Sequence, residues 1–193
     1  MKIAMVISAA GMSTRHPPNK LLLKLSDRPV IVKTISTFVD LGIDIFVVTG
    51  HQMSLVKNSI SSSSLKNISI IQNPDYKLGM STSIKTAVRQ IRDQYDYLGF
   101  SNGDLPFIST ETVSYLLKEL NTFKPLLLVP SYNKRIGHPV FFGAELFDEL
   151  ESISGDIGGR DILKNHKNDM MILKVEDEGV IMDMDYYLEK INV

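Results

Sequence analysis

Apolar residues along this chain fall into two alternating patterns: short unbroken runs, and stretches in which they return every three or four positions. Ile3 to Ile7 is such a run inside Lys2 to Ser8. Ala9, Ala10 and Gly11 follow it, so the segment reads as a buried strand opening into a loop of small residues. Between Pro29 and Leu41, Ile31, Ile35, Phe38 and Leu41 share one helical face, and Gly42 can close that helix. Asp44 to Thr49 is a second strand, followed by a weak helix at Met53 to Ser59 and a short strand at Ile68 to Gln72. Ile84, Val88 and Ile91 mark a helix from Ser81 to Asp93. A strand at Tyr97 to Ser101, a helix at Glu111 to Leu120 and a strand at Leu126 to Val129 come next.

Strands that alternate with helices predict an α/β fold, a Rossmann-like three-layer sandwich whose central sheet is mostly parallel and covered on both faces. From Pro139 the rhythm changes. Pro139 to Phe142 predicts a strand tied to Val129 to Tyr132, and helices follow at Ala144 to Ile153 and Gly159 to Asn165. The tail predicts a strand at Met170 to Val175, an extended stretch at Val180 to Met184 and a helix from Tyr186. Ser61 to Ser64 reads as a surface loop. Without an internal repeat or a dividing linker, residues 1–193 are expected to form a single domain.

Composition narrows the picture. An apolar fraction of 44% and a charged fraction of 22% are ordinary for a globular protein, and a chain of 193 residues can bury a core without staples. The absence of cysteine excludes disulfides, thiolate metal ligands and a cysteine nucleophile, and suits a cytoplasmic location. A net charge of -1 leaves no electrostatic footprint for nucleic acid or an anionic membrane. No apolar run approaches the roughly 20 residues of a membrane span, and the first stretch lacks signal-peptide architecture.

Candidate chemistry gathers at strand ends. Ala9-Ala10-Gly11-Met12-Ser13-Thr14-Arg15, followed by Asn19-Lys20-Leu21-Leu22, offers a loop whose backbone can approach a phosphate closely. Arg15 could grip a polyphosphate with two prongs and Lys20 as a point charge; an ordinary β–α turn with two solvated cations is the equal alternative. Neither GxxxxGK[ST] nor GxGxxG is present. Asn102-Gly103-Asp104-Leu105-Pro106 ends an apolar strand, at the edge where open α/β sheets bind ligands. There Asp104 could hold Mg²⁺, or simply bond its own turn. His51 and His138 are open between pocket and structural roles, and His16 and His166 read as surface residues. Gly155 to Arg160 reads either as an anion site at a helix N-terminus or as a plain loop leading into a helix.

These motifs stand together in the order of a known family. Besides the two loops, Thr49-Gly50-His51, Asn73-Pro74, Gly79-Met80-Ser81-Thr82-Ser83, Gly137-His138-Pro139, Gly155-Asp156-Ile157-Gly158-Gly159-Arg160 and Asp183-Met184-Asp185 extend the match over nearly the whole chain. The sequence resembles the MobA-like NTP transferases, most closely molybdenum cofactor cytidylyltransferases. The resemblance implies a nucleotide-diphospho-sugar transferase-like fold and a Mg²⁺-dependent enzyme transferring a cytidylyl group from CTP to the terminal phosphate of molybdopterin. Ala9, Ala10 and Gly11 would wrap the nucleotide, with Arg15 and Lys20 on its triphosphate. Asn73, Gly79, Ser81 and Ser83 would line the base and ribose pocket. Asp104 would hold the metal, completed by Asp183 or Asp185. His138, Asp156 and Arg160 would face the acceptor, and a molybdenum hydroxylase would receive the product.

Two stretches depart from the family pattern: His16-Pro17-Pro18 stand where Met-Gly is usual, and Tyr186-Tyr187 where Thr-Pro is usual. In the family, a glycine tends to occupy the Ala10 position in GTP users, so Ala10 implies CTP. The attacking phosphate is already ionised near neutrality and needs no general base. Two other functions are kept in view: transfer to a sugar phosphate or small alcohol phosphate, and a non-catalytic chaperone that holds the cofactor for a recipient enzyme.

Overall fold

The computed structural model describes residues 1–13, 19–155 and 158–191. In chain order the strands are β1 (Ile3–Ala9), β2 (Lys24–Leu25), β3 (Arg28–Pro29), β4 (Asp44–Thr49), β5 (Ile68–Gln72), β6 (Tyr97–Asn102), β7 (Leu127–Tyr132), β8 (Arg135–Ile136), β9 (Val140–Gly143) and β10 (Met170–Lys174). The α-helices are α1 (Val30–Ser36), α2 (Met53–Ser61), α3 (Met80–Ile91), α4 (Thr110–Phe123), α5 (Phe147–Ser152), α6 (Arg160–Asn165) and α7 (Met184–Ile191). Among the described residues, no helix is long and apolar enough to cross a membrane.

The main sheet runs in the order β10-β7-β9-β6-β1-β4-β5, with β8 paired to β7. Every pairing along this path is parallel except those of β9, which lies antiparallel between β6 and β7. This is the expected Rossmann-like three-layer sandwich. Alternation along β1 shows why. Met5 and Ile7 join one buried cluster with Ile31, Phe38, Val56 and Leu116, from α1, the turn after it, α2 and α4. Ala4 and Val6 join a second with Ile84, Val88, Phe147 and Ile162, from α3, α5 and α6. A strand buried on both faces carries apolar side chains at every position, the unbroken run seen in the sequence.

Three stretches differ from the sequence expectation in extent or pairing. The helix expected over Pro29 to Leu41 stops at Ser36 and gives way to a turn over residues 37–40. The strand after Pro139 is tied to β7 as expected, but through Leu127 and Leu128, while Ser131 and Tyr132 pair with Ile136 and Arg135 of β8. Asn133 and Lys134, both at positive φ, form the two-residue hairpin loop that separates them. The tail is not extended over Val180 to Met184. A 3₁₀ turn covers Glu178–Ile181, because the Asp177 carboxylate accepts bonds from the Gly179 and Ser109 N–H groups at 2.8 and 2.9 Å and tightens the chain. Helix α7 therefore begins two residues early, at Met184.

At Gly179 the tail passes over the start of α4, so close that any Cβ would overlap the Phe107 carbonyl. Only glycine fits this crossing, which fixes where α7 starts. Gly179→Ala is expected to lower unfolding stability by about 1–3 kcal/mol, the cost of overpacking a site that cannot yield. Urea unfolding with an unchanged midpoint would show that the tail can shift to make room.

Candidate functional site

The parallel pairing of β1 with β6 sets Ser8 opposite Asn102 at the carboxyl edge of the sheet. The chain leaves β1 through Ala9, Ala10 and Gly11 and leaves β6 through Gly103 and Asp104. The Gly103 N–H donates to the Ser8 carbonyl at 2.8 Å, knitting the two exits together. Both exits line one cleft of about 740 Å³, walled also by residues 76–80, Ser83, Arg160, Asp183 and Asp185. In the strand order, β4 and β5 lie to one side of β1 and β6 to the other, so the cleft opens at the topological switch point.

Gly11 shows what the loop is shaped for. A Cβ built there would meet nothing within 4 Å, so packing does not require its glycine and the backbone lies open to a ligand. Ala10 is buried and the Ala10 carbonyl accepts the His51 N–H at 3.2 Å, which anchors the loop to the end of β4. The Ser13 hydroxyl accepts the Lys20 N–H at 2.9 Å and holds the two ends of the loop together. Arg15, with His16, Pro17 and Pro18, lies outside the described residues.

Lys20 starts a short 3₁₀ turn whose N-cap is Asn19. The Asn19 Oδ1 accepts the Leu21 N–H at 3.1 Å, while its buried Nδ2 has no partner among the described residues. The Lys20 ammonium lies 2.6 Å from Asp104 Oδ2 and 3.1 Å from Asp185 Oδ2, with all three side chains largely buried. Burial alone would lower the lysine pKa. The charge of Asp104 and the hydrogen bonds to Asp104 and Asp185 outweigh it and hold the group above its ordinary 10.5.

The tail aspartates divide their work. Asp183 caps α7: its Oδ1 accepts the Tyr186 N–H at 2.8 Å, and its carbonyl accepts from Tyr187 at 3.0 Å. Asp185, inside the first turn, is 6% exposed and turns its carboxylate to Lys20. The Met184 N–H donates to the Asp104 carbonyl at 2.9 Å and docks the start of α7 on the other acidic residue. Asp104 and Asp185 are thus the pair of oxygen donors that could share a small divalent cation. Among the described residues, no group of three acidic or histidine side chains could hold one alone. Two carboxylates completed by phosphate oxygens and water is the habit of Mg²⁺.

The remaining candidates are placed differently. Gly79 lines the cleft at φ 107°, a conformation only glycine adopts freely, and precedes α3. Ser83 also lines it. Asn73 and Ser81 do not: Asn73 is 1% exposed and binds the Thr82 and Ser83 hydroxyls at 2.8 and 3.0 Å and the Asp75 N–H at 2.9 Å. It fastens the first turn of α3 from below. The N-cap of that turn is Gly79, which makes no side-chain cap, and the Ser81 N–H donates to the Gly155 carbonyl at 3.2 Å. His138 is half-buried behind Asp104, with Nδ1 3.3 Å from the Phe100 carbonyl. A carbonyl can only accept, so Nδ1 carries the hydrogen; burial holds the imidazole pKa below its usual 6.5, against the pull of Phe100 and Asp104. Arg160 lines the cleft, and Asp156 lies outside the described residues.

Sequence reasoning missed Tyr76, Lys77 and Leu78, all in the cleft wall. All three lie in the 3₁₀ turn before Gly79, and Leu78 is exposed there. It also missed Thr34, whose hydroxyl donates to the Gly103 carbonyl at 2.9 Å and braces the Asp104 turn from α1.

A cleft of this construction suits a polyphosphate with its counter-ion, and the class it defines is that of the nucleotidyltransferases. Residues 5–170 match the MobA-like NTP transferase domain, and the chain belongs to this family. It is 26% identical over 180 residues to the molybdenum cofactor cytidylyltransferase of Escherichia coli K12, covering 93% of this chain and 89% of the relative. It is 22% identical over 145 residues to the probable molybdenum cofactor guanylyltransferase of Pyrococcus horikoshii, covering 72% and 68%. The Rv0371c protein of Mycobacterium tuberculosis H37Rv superposes with a TM-score of 0.82 at 22% identity, over 100% of this chain and 96% of that one. Its manganese complex gives 0.76 at 21%, over 98% and 97%.

The raised pKa of Lys20 carries a sign. A group held above its unfolded value adds stability that is fully present below 10.5 and is lost as pH climbs through the folded-state value. The gap in Tm between the parent and Lys20→Met is therefore expected to hold from neutrality to about pH 10 and to narrow above it. A gap that closes before pH 10 would mean that the lysine is not held by its carboxylates.

Proposed function

We propose that this chain transfers a cytidylyl group from CTP, with Mg²⁺, to the terminal phosphate of a molybdopterin-type acceptor and releases pyrophosphate. The observation that carries the reading is the triad of Lys20, Asp104 and Asp185 at the carboxyl edge, beside a loop open to a ligand at Gly11. Support for the acceptor comes from the coverage of the match to the Escherichia coli cytidylyltransferase.

In the reaction, an oxygen of the acceptor phosphate attacks the α-phosphorus of CTP as the bond to the β-bridging oxygen breaks, and the electron pair leaves with pyrophosphate. A bound Mg²⁺ would neutralise charge on the transferring and leaving phosphates. Asp104 and Asp185 would hold it. The Ala9 to Gly11 backbone and the first turn of α3 would position the triphosphate, with Lys20 and Arg15 set against its charge. The neutral His138 would support the Asp104 turn rather than carry a proton.

Asp104→Ala is expected to slow transfer about a hundredfold or more while leaving the melting curve cooperative. Unchanged turnover in Mg²⁺ would reduce Asp104 to a turn residue. Nucleotide choice would follow from Ala10, which lines the cleft and whose methyl group would narrow the space beside the base. Discrimination by size is worth about 1–3 kcal/mol, so CTP should outpace GTP roughly 10- to 200-fold at matched subsaturating concentrations. Equal or faster transfer from GTP would favour the guanylyl reading that the Pyrococcus relative represents. Tight cofactor binding without transfer from any triphosphate would favour a chaperone.

A further inference from the structure

We propose that Lys20 and the divalent cation are rival occupants of one seat between Asp104 and Asp185, and that the triphosphate loads the metal by drawing Lys20 away. The inference rests on the triphosphate reading above.

The geometry defines the seat. A single ammonium nitrogen lies 2.6 Å from one carboxylate oxygen and 3.1 Å from the other. A hard cation held by the same two carboxylates would take the ammonium's place between them, and the two exclude one another by charge. Lysine has three donors and no acceptor, and anionic oxygens are the partners that best replace two carboxylates. The triphosphate would bring those into the same cleft.

The backbone is built for the exchange. The Lys20 N–H is fixed by the Ser13 hydroxyl, the turn it opens is capped by Asn19, and Leu21 behind it is buried. The main chain can therefore stay in place while the four-carbon stem of Lys20 swings between partners. Without the nucleotide, the described residues gather no third acidic or histidine ligand to favour metal over ammonium.

Binding then becomes coupled. The metal alone must displace Lys20 from two carboxylates with only Asp183 left in the described cleft wall to receive it, and nucleotide alone brings its phosphates against Asp104 and Asp185. Each makes room for the other, and by linkage each raises the affinity of the other by the same factor.

The test is a Mn²⁺ titration of the full chain followed by electron paramagnetic resonance of the free ion, with no acceptor present. It is run with and without a CTP analogue carrying a methylene bridge between the α- and β-phosphorus. The parent is expected to bind Mn²⁺ at least about tenfold more tightly with the analogue, within the usual range of coupling between sites. Lys20→Met is expected to bind Mn²⁺ about tenfold more tightly than the parent when no analogue is present, and to lose most of the analogue's effect. Adding Asp185→Asn to Lys20→Met should cancel that gain. Lys20→Gln, which keeps a polar end without the charge, repeats the test should Lys20→Met fail to melt cooperatively. Analogue-free affinity that stays at or below the parental value in the folded variants overturns the exchange. So does a parent that binds Mn²⁺ equally well with and without the analogue. Because nothing turns over, the two readings fail separately. Exchange without cytidylyl transfer sinks only the reaction, and transfer without the gain in Lys20→Met sinks only the exchange.

Discussion

The cleft depends first on the parallel register of β1 with β6. Because Ser8 lies opposite Asn102, the two chain exits rise side by side, and the bond from the Gly103 N–H to the Ser8 carbonyl holds them there. A slip of one residue would reverse the side chains of β1 between its two buried clusters, so the register is enforced by the apolar cores on both faces. The Asp104 turn is then braced from α1 by Thr34, and its carbonyl receives the first N–H of α7. Segments from the beginning, middle and end of the chain meet because two central strands pair in only one way.

On that frame the electrostatics take one form. The described cleft wall carries Lys20, Lys77 and Arg160 against Asp104, Asp183 and Asp185. A polyphosphate brought against three carboxylates would be repelled unless a cation stood between them, at separations where even an effective dielectric of about 20 leaves several kcal/mol per pair. Lys20 is already committed to two of the carboxylates. Under the proposed exchange, a divalent ion would let both sets of oxygens remain while Lys20 turned to the phosphates. The cleft suits a metal because its acidic residues would otherwise oppose its own ligand.

How much of this could be read from the sequence followed from how local each cause was. Asp44 to Thr49 and Ile68 to Gln72 are strands with the bounds their patterns indicate, because burial on the sheet is written in the strand itself. The tail was misread as extended because Asp177 tightens it by reaching the distant Ser109 N–H, and because Gly179 crosses Phe107. Lys20, Asp104 and Asp185 were legible as chemistry because they stand in motifs at the carboxyl edge of the sheet and in the tail. Their contact was not, being a tertiary fact. Asn73 shows the converse: a polar residue in a matching motif turns its whole amide into the fold to fasten α3. Motif membership alone could not separate a residue that faces the ligand from one that holds up its neighbour.

The two tail aspartates show how a short motif can carry both tasks. They stand two residues apart at the start of a helix, so their side chains point in different directions. Asp183 precedes the first turn, and its carboxylate is bound to the Tyr186 N–H as a cap. Asp185 lies within the turn, where the unpaired N–H groups favour negative charge, and its carboxylate reaches Lys20. The cap fixes the angle at which α7 leaves the sheet edge, and that angle aims Asp185. Moving the helix start by one residue would rotate Asp185 by about a quarter turn and carry its carboxylate away from Asp104. The cap therefore helps set where Asp185 meets Lys20. This is also why Tyr186-Tyr187 can replace the usual Thr-Pro: a cap needs only the N–H of the third helical residue, and tyrosine has one.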